Sequence, residues 1–484
     1  MLDLLPNEIW SDSSIKILDP ACKSGVFLRE AAKRFLVWLE EEIPNLQERI
    51  NHIMTKQLFW IGITNLTSLL SRRSLYCSKN AKYDEDDDLW KYSICTEFKT
   101  SNGNIWFDRV EHEWKNWSCI HCGASQSEYE REEELESHAY KFIHSTPKEI
   151  NDLFNLNSQD MFDVIIGNPP YQLSDWKWWW WASASPLYHL FVEQAKKLDP
   201  KYLIMIIPSR RFSWWKWLDT FRASMLDDNR ISKIIDYPNA SDCFPWVDVS
   251  WGVNYFLREK NHTWDCSITT IINGEKDSMV RPLNEYDVFV RRNKAIPIIK
   301  KVLADNEETL DNYVSPRRPF WIDSTFNDFN ETPSTSKYKI YSSNNVWVRK
   351  IWYTDKKNVT KWEEYINHRK VLMPKAYRIW SKTDGWYIHP IIAEPWSVCT
   401  ETFLVMKTFK NKEEAENFAA YIKTRFFRFL VYLRKITQNT TSKVYWFVPV
   451  LDFSKLRTDE LLYGKYKLTK SEIDYIESLI NPMD

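Results

Sequence analysis

Glycine is what this chain has least of. At the usual share of about 7%, a chain of this length would carry roughly 34 glycines; it has nine, against 26 tryptophans. Together the two residue types meet the glycine expectation, and several tryptophans stand where glycine is wanted. Trp178, Trp179, Trp180 and Trp181 are consecutive in a polar, loop-like stretch. Trp214, Trp215 and Trp217 fall between a strand-like run and a helix-like one, Trp246 follows a proline, and Trp251 precedes Gly252. Such positions call for a positive φ or a close backbone approach, which glycine allows because it has no Cβ. The pattern reads as a gene whose UGA codons mean glycine, rendered with tryptophan in their place, while some of the 26 remain genuine. The alternative is a true aromatic cluster, in which consecutive exposed indoles would invite aggregation.

Other scarcities bound the class of protein. Eight cysteines in 484 residues are too sparse for a disulfide scaffold and read as reduced thiols. No apolar run approaches the roughly 18 residues of a membrane span, and the N-terminus lacks a basic-then-apolar signal pattern, so the expectation is a cytoplasmic protein with no membrane partner. The net charge of -1 gives no global footprint for nucleic acid, although a near-neutral chain can carry a local basic stripe. The length allows two or three domains, each with its own core.

What is present is a βα alternation. "SIKILDPA" is an apolar run ending at Asp19, and the residues from Val26 have apolar positions at helical spacing. "QLFWIGI" followed by "LTSLLSRRSLY" repeats the unit, and "MFDVIIGNPPY" supplies a third buried strand. A helix over about 186–197, the strand "YLIMIIP", a helix to about Leu226, the strand "ISKIIDY" and then "GVNYFLR" complete a doubly wound pattern. The last strand has no room for a crossover helix and is expected to be antiparallel. Between about 77 and 150 the periodicity breaks into acidic runs and a cysteine- and histidine-rich patch, read as an insertion. Beyond about 260 the alternation fades into aromatic and basic segments and two helical runs, "NKEEAENFAAYIKTRFFRFLVYLRK" and "KSEIDYIESLI".

Two strand ends carry chemistry. "DPACKSGVF" (Asp19–Phe27) has a Ser-Gly turn that lets backbone approach a ligand at the carboxyl edge of a sheet. "NPPY" (Asn168, Pro169, Pro170, Tyr171) offers an amide oxygen and a proline carbonyl to accept both hydrogens of a planar amino group, with an aromatic ring to stack on its bearer. With these motifs the chain resembles the class I methyltransferases acting on adenine N6 in DNA, and among them the Eco57I-like restriction-modification methylases. The motif resemblance spans roughly the first 260 residues, and "RKITQNTTSKVY" with "FVPVLDFS" resembles the C-terminal recognition region of that group. It implies a Rossmann-like, mostly parallel doubly wound sheet over 1–260 and an α+β target-recognition domain over 261–484. It also implies S-adenosylmethionine bound by Asp19, Pro20, Ala21, Cys22, Gly25 and Phe27, and catalysis by Asn168, Pro169, Pro170 and Tyr171 on a base flipped out of double-stranded DNA. A restriction nuclease or helicase subunit would be a separate chain.

The sequence departs from the family pattern in three places. Lys23 replaces a glycine, where it would crowd the cofactor if that residue needed a positive φ. After the second strand no acidic residue awaits the ribose, and Thr64 and Asn65 are the substitutes offered. The residues before Asp19 are too few for the usual upstream helix, so the chain is expected to begin late or to be inactive. In the insertion, His112, Cys119, Cys122 and His138 suit tetrahedral zinc, with His121 able to replace either histidine. In the C-terminal part Arg369, Lys370, Lys375, Arg378, Arg425, Arg428, Arg434 and Lys435 interleave with Tyr377, Phe426, Phe427 and Tyr432. That mixture suits phosphate contact and base stacking; for "TRFFRFLVYLRK" alone, an amphipathic helix with a solvated basic face fits better. The competing functions are a protein glutamine N5-methyltransferase and a catalytically inactive DNA-specificity module.

Overall fold

The run ending at Asp19 forms strand β1, Ile17–Cys22, buried at every residue. Helix α1, Val26–Trp38, opens after Gly25. Then follow α2 (Leu46–His52), β2 (Leu58–Gly62), α3 (Asn65–Tyr76), the short strands β3 (Ile105–Trp106), β4 (Trp114–Lys115) and β5 (Ser118–Cys119), and helices α4 (Tyr140–His144) and α5 (Pro147–Leu153). β6 (Val164–Gly167), α6 (Tyr188–Lys197), β7 (Tyr202–Pro208), α7 (Asp219–Leu226) and strands β8 (Ile231–Tyr237), β9 (Val253–Glu259), β10 (Cys266–Ile272) and β11 (Glu275–Arg281) complete the first unit, Met1–Phe289. The structure, a computed structural model, describes residues 1–82, 93–126, 138–156, 161–172, 186–209, 218–246, 249, 252–342, 352–359, 363–375, 389–435 and 440–483.

Nine of these strands form one sheet in the order β11-β10-β8-β9-β7-β6-β1-β2-β3. From β3 to β7 all neighbours are parallel. β9 lies between β7 and β8 and is antiparallel to both, because the chain returns to it without a crossover helix. Within the boundary region expected near 260 to 300, β10 pairs with β8 (Ser267 opposite Lys233) and extends the first sheet, and the division falls after Phe289. The stretch expected as an insertion is also not all extraneous: β3 within it forms the edge of the sheet beside β2.

The second unit, Val290–Asp484, has two three-stranded sheets. In one, Lys337–Tyr341 lies between Trp352–Asp355 and Ser397–Cys399; in the other, Arg369–Pro374 lies between Ile391–Ala393 and Phe403–Phe409. The first helical run read from the sequence is two helices, Lys412–Lys423 and Arg425–Arg434. They break at Thr424, whose ψ of 149° leaves the helix and whose hydroxyl oxygen accepts from the Phe427 N–H. No helix among the described residues is long and apolar enough to cross a membrane.

Four tryptophans among the described residues have left-handed backbone: Trp117 (φ 65°), Trp246 (71°), Trp321 (60°) and Trp396 (63°). A bulky side chain is a genuine outlier there. Trp117 follows Asn116 (φ 51°) in the two-residue turn joining β4 to β5, a turn that favours Asn-Gly. Of the positions read as glycine slots, Trp246 is left-handed; Trp178 to Trp181, Trp214, Trp215, Trp217 and Trp251 lie outside the described residues.

Candidate active site

β1 and β6 are parallel neighbours, Ile17 opposite Val164 and Leu18 opposite Ile165, so they deliver their carboxyl ends to the same edge of the sheet. One end is Asp19, Pro20, Ala21 and Cys22; the other runs through Gly167 into Asn168. The two loops touch. A Cβ added to Gly167 would stand 3.3 Å from Pro20 Cδ and 3.4 Å from Asp19 Oδ1, so glycine there lets the loops close on each other.

The Asp19 carboxylate is buried and accepts from the Ala21 N–H at 3.1 Å. Burial pushes its pKa up to about 7. Burial likewise holds the neighbouring Cys22 thiol well above its ordinary value. The left-handed residue of the turn is Gly25 (φ 72°), whose backbone packs against Ser71 and Leu75 of α3. Lys23 is exposed and has no positive φ, so the crowding expected of it does not arise. Phe27 packs on the core beneath.

At the end of β2 the two polar substitutes differ in availability. The Thr64 hydroxyl caps α3, accepting from the Thr67 N–H at 3.2 Å. Asn65 begins that helix with an exposed side chain.

Beyond β6, Asn168 is half-buried and Pro169 and Pro170 are buried. The Tyr171 carbonyl accepts from the Leu187 N–H at 3.1 Å, joining the motif to the start of α6. Its ring packs against a cluster of Ile206, Ala240 and Val253. Its hydroxyl is buried without a hydrogen-bond partner among the described residues, and burial raises its pKa.

Sequence reading missed a polar group at the same edge of the sheet. Ser209, just past β7, donates to Asp236 Oδ1 of β8 at 2.8 Å, and Asn254 of β9 donates to Ser209 Oγ at 3.2 Å; all three are buried. A polar residue interrupting an apolar strand, as in "IIDY" and "GVNYF", was the available signal.

In the Cys/His patch, one ligand atom each from His112, Cys119, Cys122 and His144 lies within 4.8 Å of the others. His144 takes the place expected for His138. The His138 N–H instead donates to the Ile63 carbonyl at 3.2 Å, and its ring bonds to the Phe107 backbone. His121 pairs with Glu113 at 3.4 Å and stays outside the group. Burial lowers the His112 and His144 pKa values to about 4 and about 3, leaving neutral imidazoles with a lone pair to give.

The expected basic face of the second unit is largely internal. Lys370 bonds to the Ser397 carbonyl, Arg428 to that of Asn481 and Arg434 to that of Lys443, and Lys435 is buried. Arg369 pairs with Glu394 and Arg425 with Glu477. Phe426 and Phe427 are core residues and Tyr432 is half-buried, so the aromatic face is internal but the basic face is not solvated. Arg378 and Tyr377 lie outside the described residues. Exposed cations lie elsewhere, among them Arg317 and Arg318, 69% and 47% exposed, which share the buried Glu401 carboxylate with Lys375. Three cations on one carboxylate leave surplus positive charge.

The family model of the Eco57I restriction-modification methylases matches residues 56–244. A Mycoplasma pneumoniae protein described as an uncharacterized adenine-specific methylase is 36% identical over 308 residues, covering 60% of this chain and 72% of that one. Among solved structures, the type IIL restriction-modification enzyme MmeI in complex with DNA aligns at 10% identity over 99% of this chain and 72% of its own (TM-score 0.48). The type IIG restriction endonuclease BpuSI aligns at 12% over 96% of this chain (TM-score 0.39), and this chain spans 60% of its length. A type I restriction-modification assembly is spanned over 44% of its matched chain, at 12% identity and a TM-score of 0.31. With 36% identity over 308 aligned residues that cover 72% of the Mycoplasma relative, and with both strand-end motifs meeting at one sheet edge, the chain belongs to the adenine-specific restriction-modification methylases of the Eco57I family.

Proposed function

We propose that this chain transfers a methyl group from S-adenosylmethionine to N6 of adenine in double-stranded DNA, as the modification component of a restriction-modification system whose nuclease or helicase is a separate subunit. The observation that carries the reading is the contact between the two loops, with Gly167 against Pro20 and Asp19. It supports a donor segment and an amino-group segment lying side by side, as direct transfer between two bound molecules requires.

The residues present fit the donor. The left-handed Gly25 opens the turn, Asp19 is a buried carboxyl with a single backbone N–H donor to one oxygen, and Asn65 presents an exposed amide toward solvent at the next strand end. Asp19, Pro20, Ala21, Cys22, Gly25 and Phe27 would hold S-adenosylmethionine, with Asn65 rather than the capping Thr64 available to the ribose. When bound, it supplies an electrophilic methyl on a sulfonium. Asn168 Oδ1 and the Pro169 carbonyl accept the two hydrogens of the target amino group, which raises electron density on its nitrogen. Tyr171 stacks on the flipped base, held from behind by Ile206 and Val253.

The inactive reading rested on Lys23 and on the short stretch before Asp19, and the exposure and ordinary φ of Lys23 weaken the first of these grounds. The glutamine methyltransferase remains the rival, because a planar amide fits the same acceptors. Tritiated methyl transfer to duplex DNA, digested to nucleosides, decides between them. Label in N6-methyladenine is expected, and label found only in protein glutamine would replace the reading. Asn168→Ala should keep donor affinity and lose about 10²–10³-fold in kcat, as removal of one transition-state hydrogen-bonding group does. Tyr171→Phe should retain activity, since the hydroxyl has no hydrogen-bond partner among the described residues.

A further inference from the structure

We propose that His112, Cys119, Cys122 and His144 bind one zinc ion in a closed, structural site that braces the helix following the target-base motif. Methyl transfer has no use for this group, so the inference stands whatever the methylated substrate.

Two of the six edges already match a tetrahedral zinc site, and the four ligand atoms all lie within 4.8 Å of one another. Zinc bonds of about 2.3 Å to sulfur and about 2.0–2.1 Å to nitrogen put tetrahedral sulfur–nitrogen edges at about 3.6 Å. The two observed edges, Cys119 Sγ to His144 Nε2 and Cys122 Sγ to His112 Nδ1, are 3.7 and 3.5 Å. The cysteines sit on a built knuckle. The Gly123 N–H donates to the Cys119 carbonyl and the Cys119 N–H to the Ala124 carbonyl, both at 2.9 Å, while the Ala124 N–H faces the Cys122 sulfur. Both cysteines are buried. Four protein ligands leave no open position, which marks a structural site rather than a catalytic one.

The ion would join the β4–β5 hairpin to α4, which carries His144. That helix leans on α6: the Phe142 and Phe191 rings stack at 5.9 Å, and Gln194 donates to the Ser145 carbonyl at 2.5 Å. The residue just before α6, Leu187, donates its N–H to Tyr171. Hairpin, metal, α4, α6 and target motif form a continuous chain of contacts.

The test is metal content by mass spectrometry on the full-length protein, with thermal unfolding before and after chelation and zinc return. About one zinc per chain is expected, lost in the double variant Cys119→Ser/Cys122→Ser and reduced in His144→Ala. His138→Ala should keep its zinc, which separates this assignment from one that uses the other histidine. Should the double variant fail to fold, chelation of the unaltered protein decides: a lower Tm restored by zinc supports the site. Metal content unchanged in the double variant, equal loss in His138→Ala and His144→Ala, or a Tm indifferent to chelation would each overturn it.

Discussion

Asp19 holds its proton at a pH where an ordinary aspartate has lost it. Its folded pKa of about 7 stands above the ordinary aspartate value of 3.8, so between these values the folded state binds more protons than the unfolded one. Stability from this group is therefore present at low pH and declines as pH rises toward about 7. A cationic ligand reverses the preference, because it favours the ionised carboxylate. Binding of S-adenosylmethionine at about pH 6 should release a proton, read by calorimetry in buffers of different ionisation enthalpy, and Asp19→Asn should abolish the buffer dependence. A binding enthalpy independent of buffer in the unaltered protein would count against the assignment. The left-handed tryptophans make a second prediction at this scale. Left-handed backbone costs a residue with a Cβ about 1–2 kcal/mol; Trp117 and Trp246 are the most exposed of the four, whereas Trp396 stacks on Tyr338 with Lys356 over its ring. Glycine at Trp117 and Trp246 should raise stability by about that amount in denaturant unfolding, and by less at Trp396. Peptide masses from the native host should show glycine at these four sites; UGG codons there would end the recoding explanation. Composition exposed the anomaly, but only backbone angles say which tryptophans it touches.

At the level of elements, legibility followed the range of the interactions involved. Strand β1, the turn at Gly25 and the antiparallel β9 were readable because burial, turn chemistry and connection length act over a few neighbouring residues. Thr424 was harder. Its neighbours on both sides are good helix formers, and the break depends on its hydroxyl bonding forward to Phe427 and on Asp459, a distant residue, accepting from the Arg425 and Phe426 N–H groups. His144 was missed for a related reason. Ligand spacing names the cysteine pair, but which histidine completes it depends on how α4 docks on α6. The basic residues of Arg425–Arg434 misled because charge in a sequence gives no sign that backbone carbonyls will enclose it, as those of Asn481 and Lys443 enclose Arg428 and Arg434.

Across the whole molecule, the motifs that name the family fall in the first unit, while Arg317 and Arg318 of the second are exposed cations of the kind that suits a phosphate. The Arg317→Ala/Arg318→Ala double variant should weaken duplex binding uniformly across sequences and reduce the slope of log affinity against log salt by up to about 2, leaving donor binding intact. Titrations at several salt concentrations check this, and an unchanged slope would show that the pair does not meet phosphate. The unit boundary was legible only to within the last two strands of the sheet, since β10 and β11 look like any solvated hairpin until β8 is seen to need a neighbour. The parallel register of β1 and β6 has a consequence for how such a chain changes over time. Donor loop and target loop are far apart in the chain but are aligned by the pairing of the two strands that carry them. Residues between them can lengthen, shorten or acquire a new module, as the cysteine hairpin exemplifies, without altering the distance across which the methyl group must move.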